Sequence, residues 1–456
     1  MSGLLNTLAK YGIYLSISLC YLALPLGAWD RGTAAYDKPT GVTVEPLMPH
    51  DSTHLLPQCT GGPELALSIR NIRPEPIQGA FLYLGITDFT GRGIQDFDRR
   101  IDLPANSETI LRLKADFLEH KPDFYDVRAL LFDSGRELAY KEFSFGYDAT
   151  HLPVEPSRPA DFQSFWKAAL DSLKEVPLSA TVLRDTVQSG AMCDVYRVSY
   201  QSLHRVRVHG WFTVPRWKAG PYAALLFFPG YSSGRILART DYSKLGYATL
   251  SIQVRGYGVD QESYPEDNSR YMTIGIESPQ TYIYREIVCH CLRAVDFAAQ
   301  RPEVDRRRIG TVGGSQGGGL ALLVAGLDPR IKVASANVPF LTDFPRSLTM
   351  TGNPYRDVLR YIESNPEKRE KVMRTVSYFD VLNLAQEIKT PVIVSTGLFD
   401  RTCPAPSIYG MFLCLAAREK KIMIYPYLDH LEVQQYFSRA EKDWIMEHLP
   451  PLVESK

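Results

Sequence analysis

The chain has 456 residues, 45% hydrophobic and 22% charged, enough for two or three domains with buried cores. Its 51 basic residues balance 51 acidic ones, and no long run of one sign appears. Composition therefore gives no support to nucleic-acid binding or to electrostatic docking on a membrane.

After Lys10, residues 11–28 are uncharged and mostly apolar, ending Leu24-Pro-Leu-Gly-Ala28. This reads as a signal peptide over 1–28, cleaved near Ala28, so that the protein is exported to the periplasm or the medium and keeps no stable membrane contact. An uncleaved N-terminal anchor is the alternative, because the stretch approaches the ~20 residues that span a bilayer. Beyond it, Cys59, Cys193, Cys289, Cys291, Cys403 and Cys414 follow no disulfide-framework spacing and read as buried thiols.

Residues 41–148 carry short alternating runs separated by polar turns. Leu65–Ile72, Phe81–Ile86, Ile110–Leu113 and Val127–Phe132 are of this kind, the last turning at Asp133-Ser-Gly135 into Glu137–Phe143. Such spacing predicts an antiparallel, immunoglobulin-like β-sandwich. Tyr83 and Phe89 are candidates for carbohydrate contact, but aromatics in a small sandwich belong more often to its core, which favours a structural spacer. A proline-rich linker, Leu152-Pro-Val-Glu-Pro-Ser-Arg-Pro159, leads into a helix with Phe162, Phe165, Trp166 and Leu170 on one face.

From 159 to 452 strands and helices alternate, as a mostly parallel sheet covered on both faces requires. Gly-x-Ser-x-Gly occurs twice, as Gly230-Tyr-Ser-Ser-Gly234 after the apolar run Ala223–Phe228, and as Gly313-Gly-Ser-Gln-Gly317 after Ile309–Val312. A chain of this length shows the motif by chance roughly once in seven cases, so context must choose. Only the second copy runs straight into an apolar helical stretch, Leu320–Leu327, the strand–turn–helix layout of a nucleophile elbow. Gly313 and Gly317 leave room for the tight turn, and Gly318 and Gly319 let the helix approach the sheet. Ser315 is therefore the candidate nucleophile rather than Ser232. The upstream copy lies where an α/β-hydrolase carries the loop that gives its other oxyanion donor.

Residues 341–390 break the strand–helix rhythm with charged, tyrosine-containing helices, read as a cap over the site or a plain insertion. Next, the strand beginning at Pro391 ends at Asp400, where a carboxylate can orient an imidazole. Asp429 is the runner-up, poorly placed because it neighbours the histidine in chain, and Asp380 fits a helix start. In this fold the histidine comes last. His430 follows the strand Lys421–Tyr425 in a short loop, whereas His448 falls in a charged terminal helix and is expected to be solvated. The residues thus give a triad of Ser315, Asp400 and His430. No His-Glu-x-x-His, Cys-x-x-Cys or P-loop appears, so neither metal nor organic cofactor is expected.

Gly230-Tyr231, Val254-Arg-Gly-Tyr-Gly258, Arg301-Pro-Glu-Val-Asp305, Gly313-Gly-Ser-Gln-Gly-Gly318, Ser377-Tyr-Phe-Asp380 and Gly397-Leu-Phe-Asp-Arg-Thr-Cys-Pro404 together resemble the acetyl xylan esterase and cephalosporin C deacetylase family, carbohydrate esterase family seven. The similarity covers about two thirds of the chain. Gln316 after the nucleophile is its most specific element, since prolyl-oligopeptidase-type peptidases usually carry tyrosine there. The resemblance implies an α/β-hydrolase that deacetylates small acetylated carbohydrates. It also implies an oxyanion hole from the backbone N–H groups of Tyr231 and Gln316, and a homo-oligomer that the N-terminal domain would block or remodel. One departure stands out: Pro229 replaces the histidine that the family usually places before Gly-Tyr, removing an N–H and leaving specificity open. A peptidase of the same fold and a non-catalytic carbohydrate-binding protein are the competing readings.

Overall fold

A computed structural model describes residues 40–47, 58–59, 64–115, 122–217, 219–231, 236–254, 268–350, 352 and 354–451. The leader expected over 1–28 and Ser232 lie outside these residues, as does most of the Val254–Gly258 motif. The chain divides into two compact units, the change falling between Ala149 and Thr150.

The first unit is all-β. Strands β1 (Val42–Pro46), β3 (Glu64–Asn71) and β6 (Ser107–Lys114) form one sheet. Strands β2 (Gln58–Cys59), β8 (Arg136–Tyr147), β7 (Asp123–Asp133), β4 (Ile77–Asp88) and β5 (Gly93–Leu103) form the other, in that order. Alternate residues from both sheets share one core: Leu65, Leu67 and Ile69 from the first, and Leu82, Leu84, Ile86, Val127, Ala129 and Leu131 from the second. This is the period-two burial of a sandwich. The β7–β8 hairpin turns through Ser134 and Gly135, both at positive φ (47° and 81°), the twist that two-residue hairpins favour. Tyr83 and Phe89 are both buried. The Tyr83 phenol donates to Asp96 at 2.9 Å, and Phe89 packs edge-on against Phe124 with ring centroids 5.9 Å apart. Neither ring is presented to a sugar.

The second unit contains a nine-stranded sheet. Its strands are β9 (Thr181–Asp185), β10 (Cys193–Gln201), β11 (Arg207–Pro215), β12 (Tyr222–Phe228), β13 (Ala248–Ile252), β14 (Val304–Gly314), β15 (Ile331–Asn337), β16 (Val392–Gly397) and β17 (Lys420–Tyr425). Their order is β17-β16-β15-β14-β12-β13-β11-β10-β9. From β13 to β17 every pairing is parallel, and β9 to β11 add an antiparallel edge. Every residue of β12 is buried. Ala223, Leu225 and Phe227 pack with Tyr242, Tyr247, Ile445 and Leu449, so Ala224, Leu226 and Phe228 point to the opposite, equally covered face. The molecule is thus an α/β-hydrolase with a mostly parallel sheet, preceded by an all-β sandwich.

The linker and the first helix pack within this unit. Arg158 donates to the Asn383 carbonyl at 2.8 Å and pairs with Glu387 at 2.6 Å. Helix Phe162–Lys174 buries Phe162, Phe165 and Trp166, and the Trp166 indole N–H donates to the Tyr378 carbonyl at 3.1 Å. The insertion between β15 and β16 forms helices Phe344–Met350, Tyr355–Ser364 and Arg369–Ser377 and a 3-10 turn over Val381–Glu387. Asp380 begins that turn as expected, accepting Leu382 N–H at 2.9 Å, and it also accepts the N–H groups of Asp343 and Phe344. Cys193, Cys289, Cys291 and Cys403 are buried free thiols, and Cys414 is half-buried. Burial pushes the Cys289 thiol up to about 12.

His448 departs from the solvated side chain expected of a charged terminal helix. Its ring stacks on Trp444 with centroids 3.8 Å apart, and its Nε2 lies 2.8 Å from Glu419. The i, i+4 spacing on one helix makes the stack; sequence charge alone does not reveal it.

Candidate active site

The site is built on the C-terminal ends of β12, β14, β16 and β17, where an α/β sheet presents its loops. Strand β14 ends at Gly314, helix Gln316–Leu327 starts at Gln316, and Ser315 makes the whole turn at φ 55°, ψ −121°. A non-glycine residue holds such a conformation only when its surroundings impose it. Here the Ser315 N–H donates to the Asn337 carbonyl at 2.8 Å, while its own carbonyl accepts from Phe340 at 3.0 Å and Gly319 at 3.1 Å.

The flanking glycines are required by contact. A Cβ on Gly313 would lie 2.2 Å from the Gly317 backbone, and one on Gly317 would lie 2.1 Å from the Phe228 carbonyl oxygen. The backbone of β12 therefore passes directly over the elbow. Gly317→Ala is expected to destabilise the protein by about 1–3 kcal/mol, the usual cost of overpacking a tight interior. Thermal unfolding measures this, and an unchanged Tm would mean that the elbow can shift away from β12.

Asp400 lies just beyond β16 and is fully buried. Its Oδ1 accepts the N–H groups of Thr402 and Cys403, each at 2.8 Å, and its Oδ2 lies 2.7 Å from His430 Nδ1. With Oδ1 held by two donors, Oδ2 faces the ring and selects the tautomer that carries its proton on Nδ1.

His430 does not sit in a loop. It opens the short helix His430–Tyr436, which Asp429 caps by accepting from Leu431 and Glu432, with Glu432 returning a bond to the Asp429 N–H. The runner-up acid is thus occupied as a helix cap. Close approach at Gly397, where a Cβ would come within 2.3 Å of the Leu428 carbonyl oxygen, lets the turn before the His430 helix settle onto the strand that leads to Asp400. The same short helix reaches the elbow: the Gln434 side chain abuts Gly314, and the Gln434 backbone carbonyl accepts from the Asn337 side-chain amide at 3.3 Å.

Cys403 connects the acid to the serine, which inspection of the sequence did not anticipate. Its N–H holds Asp400, and its thiol lies close to the Ser315 side chain. The spacing Asp400-x-x-Cys403, with the thiol one turn past the acid, was the available signal. Ligand atoms of Asp400, Cys403 and His430 lie within 4.8 Å of one another, a spacing that bears on metal binding. The donor set does not fit an ion well. Both carboxylate oxygens are already committed, and burial holds the thiol well above its ordinary range, whereas a metal takes the thiolate.

Tyr231 and Gln316, the expected oxyanion donors, lie on facing segments. Tyr231 is half-buried, and its ring centroid lies 4.5 Å from that of Tyr271. Gln316 is fully buried. As the first residue of its helix it has a backbone N–H without an intrahelical acceptor. Its carboxamide oxygen accepts from the Tyr271 and Tyr284 hydroxyls, both at 2.7 Å, and its Nε2 lies 3.4 Å from the Pro229 carbonyl oxygen and 3.5 Å from that of Gly230.

Residues 150–448 match the family described as acetyl xylan esterase (AXE1). The chain belongs to the acetyl xylan esterase family. It is 30% identical over 321 residues to acetyl esterase Axe7A of Xylanibacter ruminicola, a match spanning 68% of this chain and 71% of that one. Among solved structures, an acetyl xylan esterase from Paenibacillus sp. R4 superposes with a TM-score of 0.61 at 34% identity, over 66% of this chain and 98% of that one. Acetyl xylan esterase 1 from Thermoanaerobacterium sp. JW/SL YS485 gives 0.58 at 26% identity, over 64% and 95%. Family membership makes this chain a carboxylic ester hydrolase and does not favour the peptidase or the non-catalytic binding reading.

Proposed function

We propose that this esterase removes acetyl groups from acetylated xylo-oligosaccharides or similar small acetyl esters through an acetyl-enzyme on Ser315. The observation that carries the proposal is the 2.7 Å Asp400–His430 pair, set beside a strained serine elbow in a chain of this family. With Nδ1 protonated toward Asp400, His430 Nε2 is the free base that takes the Ser315 proton as the hydroxyl attacks the ester carbonyl. The N–H groups of Tyr231 and Gln316 receive the negative charge that develops on the carbonyl oxygen; such a donor is worth roughly 3 kcal/mol of barrier. His430 then protonates the leaving sugar alkoxide. Water repeats the sequence on the acetyl-enzyme, releasing acetate and restoring the serine. No step calls for a metal or organic cofactor.

The same proposal takes residues 1–28 as a signal peptide and the protein as exported, supported by the uncharged apolar run at 11–28. Among the described residues no helix is long and apolar enough to cross a membrane. Cephalosporin C deacetylation and a homo-oligomeric assembly are extended to this chain from its family resemblance.

An acyl series of 4-nitrophenyl esters from acetate to octanoate, read beside acetate release from acetylated xylan fragments, tests the substrate. The expected result is highest kcat/KM on acetate, with acetate released from the fragments and no cleavage of peptide amides. A preference for octanoate, or amide cleavage, would redirect the assignment to a lipase-like or peptidase activity.

A further inference from the structure

The Gln316 carboxamide occupies a place that its backbone role does not explain. Two phenol hydroxyls, from Tyr271 in the 3-10 turn Asn268–Thr273 and from Tyr284 in helix Ile283–Ala299, converge on its oxygen, each at 2.7 Å. An oxygen that receives two O–H donors fixes which end of the amide is which. The NH2 group must then face the other way, toward the carbonyl oxygens of Pro229 and Gly230, at 3.4 and 3.5 Å.

The consequence follows from peptide planarity. The Gly230 carbonyl and the Tyr231 N–H belong to one trans peptide unit and point in opposite directions. A group that draws the Gly230 oxygen toward Gln316 therefore sets where the Tyr231 N–H aims. The Tyr231 ring closes the arrangement, because it packs at a tilt against Tyr271, the same residue that holds the carboxamide. Pro229 fits here: it lacks an N–H but still offers the carbonyl that the amide grips.

We infer that the Gln316 side chain is a positioning residue for the oxyanion hole, so that one residue gives the first donor from its backbone and aims the second, on Tyr231, through its carboxamide. This rests on the proposal that Ser315 is the nucleophile and that Tyr231 and Gln316 stabilise the oxyanion. Tyr271 and Tyr284 act one step further out, as the lock on the amide orientation. The burial that raises the Tyr284 hydroxyl well above its ordinary range keeps it a donor at every working pH.

The test uses the full chain and two sets of neutral variants. Gln316→Met keeps the volume and the backbone N–H while removing every side-chain hydrogen bond. The Tyr271→Phe/Tyr284→Phe pair leaves the glutamine in place but unlocks it. For each, kcat and KM on 4-nitrophenyl acetate are compared with the Ki of a small alkylboronic acid, whose tetrahedral adduct on a serine imitates the oxyanion. Gln316→Met is expected to lower kcat about 10- to 100-fold, below the full loss of one donor, with KM within about twofold and boronate affinity falling in parallel with kcat. The tyrosine pair is expected to lower kcat about 3- to 10-fold with the same split. If Gln316→Met does not fold, the tyrosine pair decides alone. Unchanged kcat and boronate affinity in a folded variant, or a loss confined to KM or Tm, would overturn the positioning role. Ser315→Ala is run alongside: full activity there would defeat the nucleophile assignment itself, a result distinct from failure of the clamp.

Discussion

Ser315→Ala is expected to yield a folded protein whose ester hydrolysis has dropped by roughly 10⁴-fold or more, the scale on which removal of a serine nucleophile is felt. Folding should survive for a local reason. The elbow is fixed by backbone bonds from Ser315 to Asn337, Phe340 and Gly319, and alanine makes all of them. Alanine also bears the same Cβ, so the positive φ is no harder to hold than for serine. What disappears is the hydroxyl beside Cys403. Turnover of 4-nitrophenyl acetate together with Tm separates chemistry from stability. Near-normal turnover would move the nucleophile to Ser232 or end the serine-esterase mechanism.

Asp400→Asn should cost about 10⁴-fold in kcat with little change in KM, because it reverses a proton rather than removing a group. The two N–H groups at 2.8 Å on Oδ1 oblige the asparagine to place its oxygen there. Its NH2 then faces His430 Nδ1 and donates to it. The ring must carry its own proton on Nε2, where a lone pair is needed to take the Ser315 proton. A variant within tenfold of wild type would require another acid. Asp429 is the sequence neighbour best placed to serve, yet it is engaged as the cap of the helix that His430 opens.

The parts of this site that short-range chemistry dictates were readable in the sequence. Gly313 and Gly317 flank a serine between an apolar strand and a helix because a side chain on Gly313 would strike the Gly317 backbone, and one on Gly317 the Phe228 carbonyl. The β7–β8 hairpin announced itself through Asp133-Ser-Gly135. The order serine, aspartate, histidine then chose among widely spaced candidates. Other parts were not readable, for identifiable reasons. The helix that begins at His430 is seven residues long, too short to show a period, although Asp429-x-x-Glu432 spelled out its capping box. The antiparallel edge formed by β9 to β11 depends on pairing partners, which alternation alone does not name. The carboxamide of Gln316 meets Tyr271 and Tyr284 only after the sheet has assembled, 45 and 32 residues away in chain. Its identity was visible in the sequence, but the work of its side chain was not.

Labelling with a fluorophosphonate, followed by intact mass and tryptic mapping, tests the central claim most directly. Cleavage after Arg308 and Arg330 releases a peptide in which Ser315 is the single serine, whereas Ser232 falls in the peptide that ends at Arg235. One adduct per chain on the Ser315 peptide, appearing in step with loss of esterase activity, is the predicted result. An adduct on the Ser232 peptide, or full inactivation with Ser315 unmodified, would contradict it.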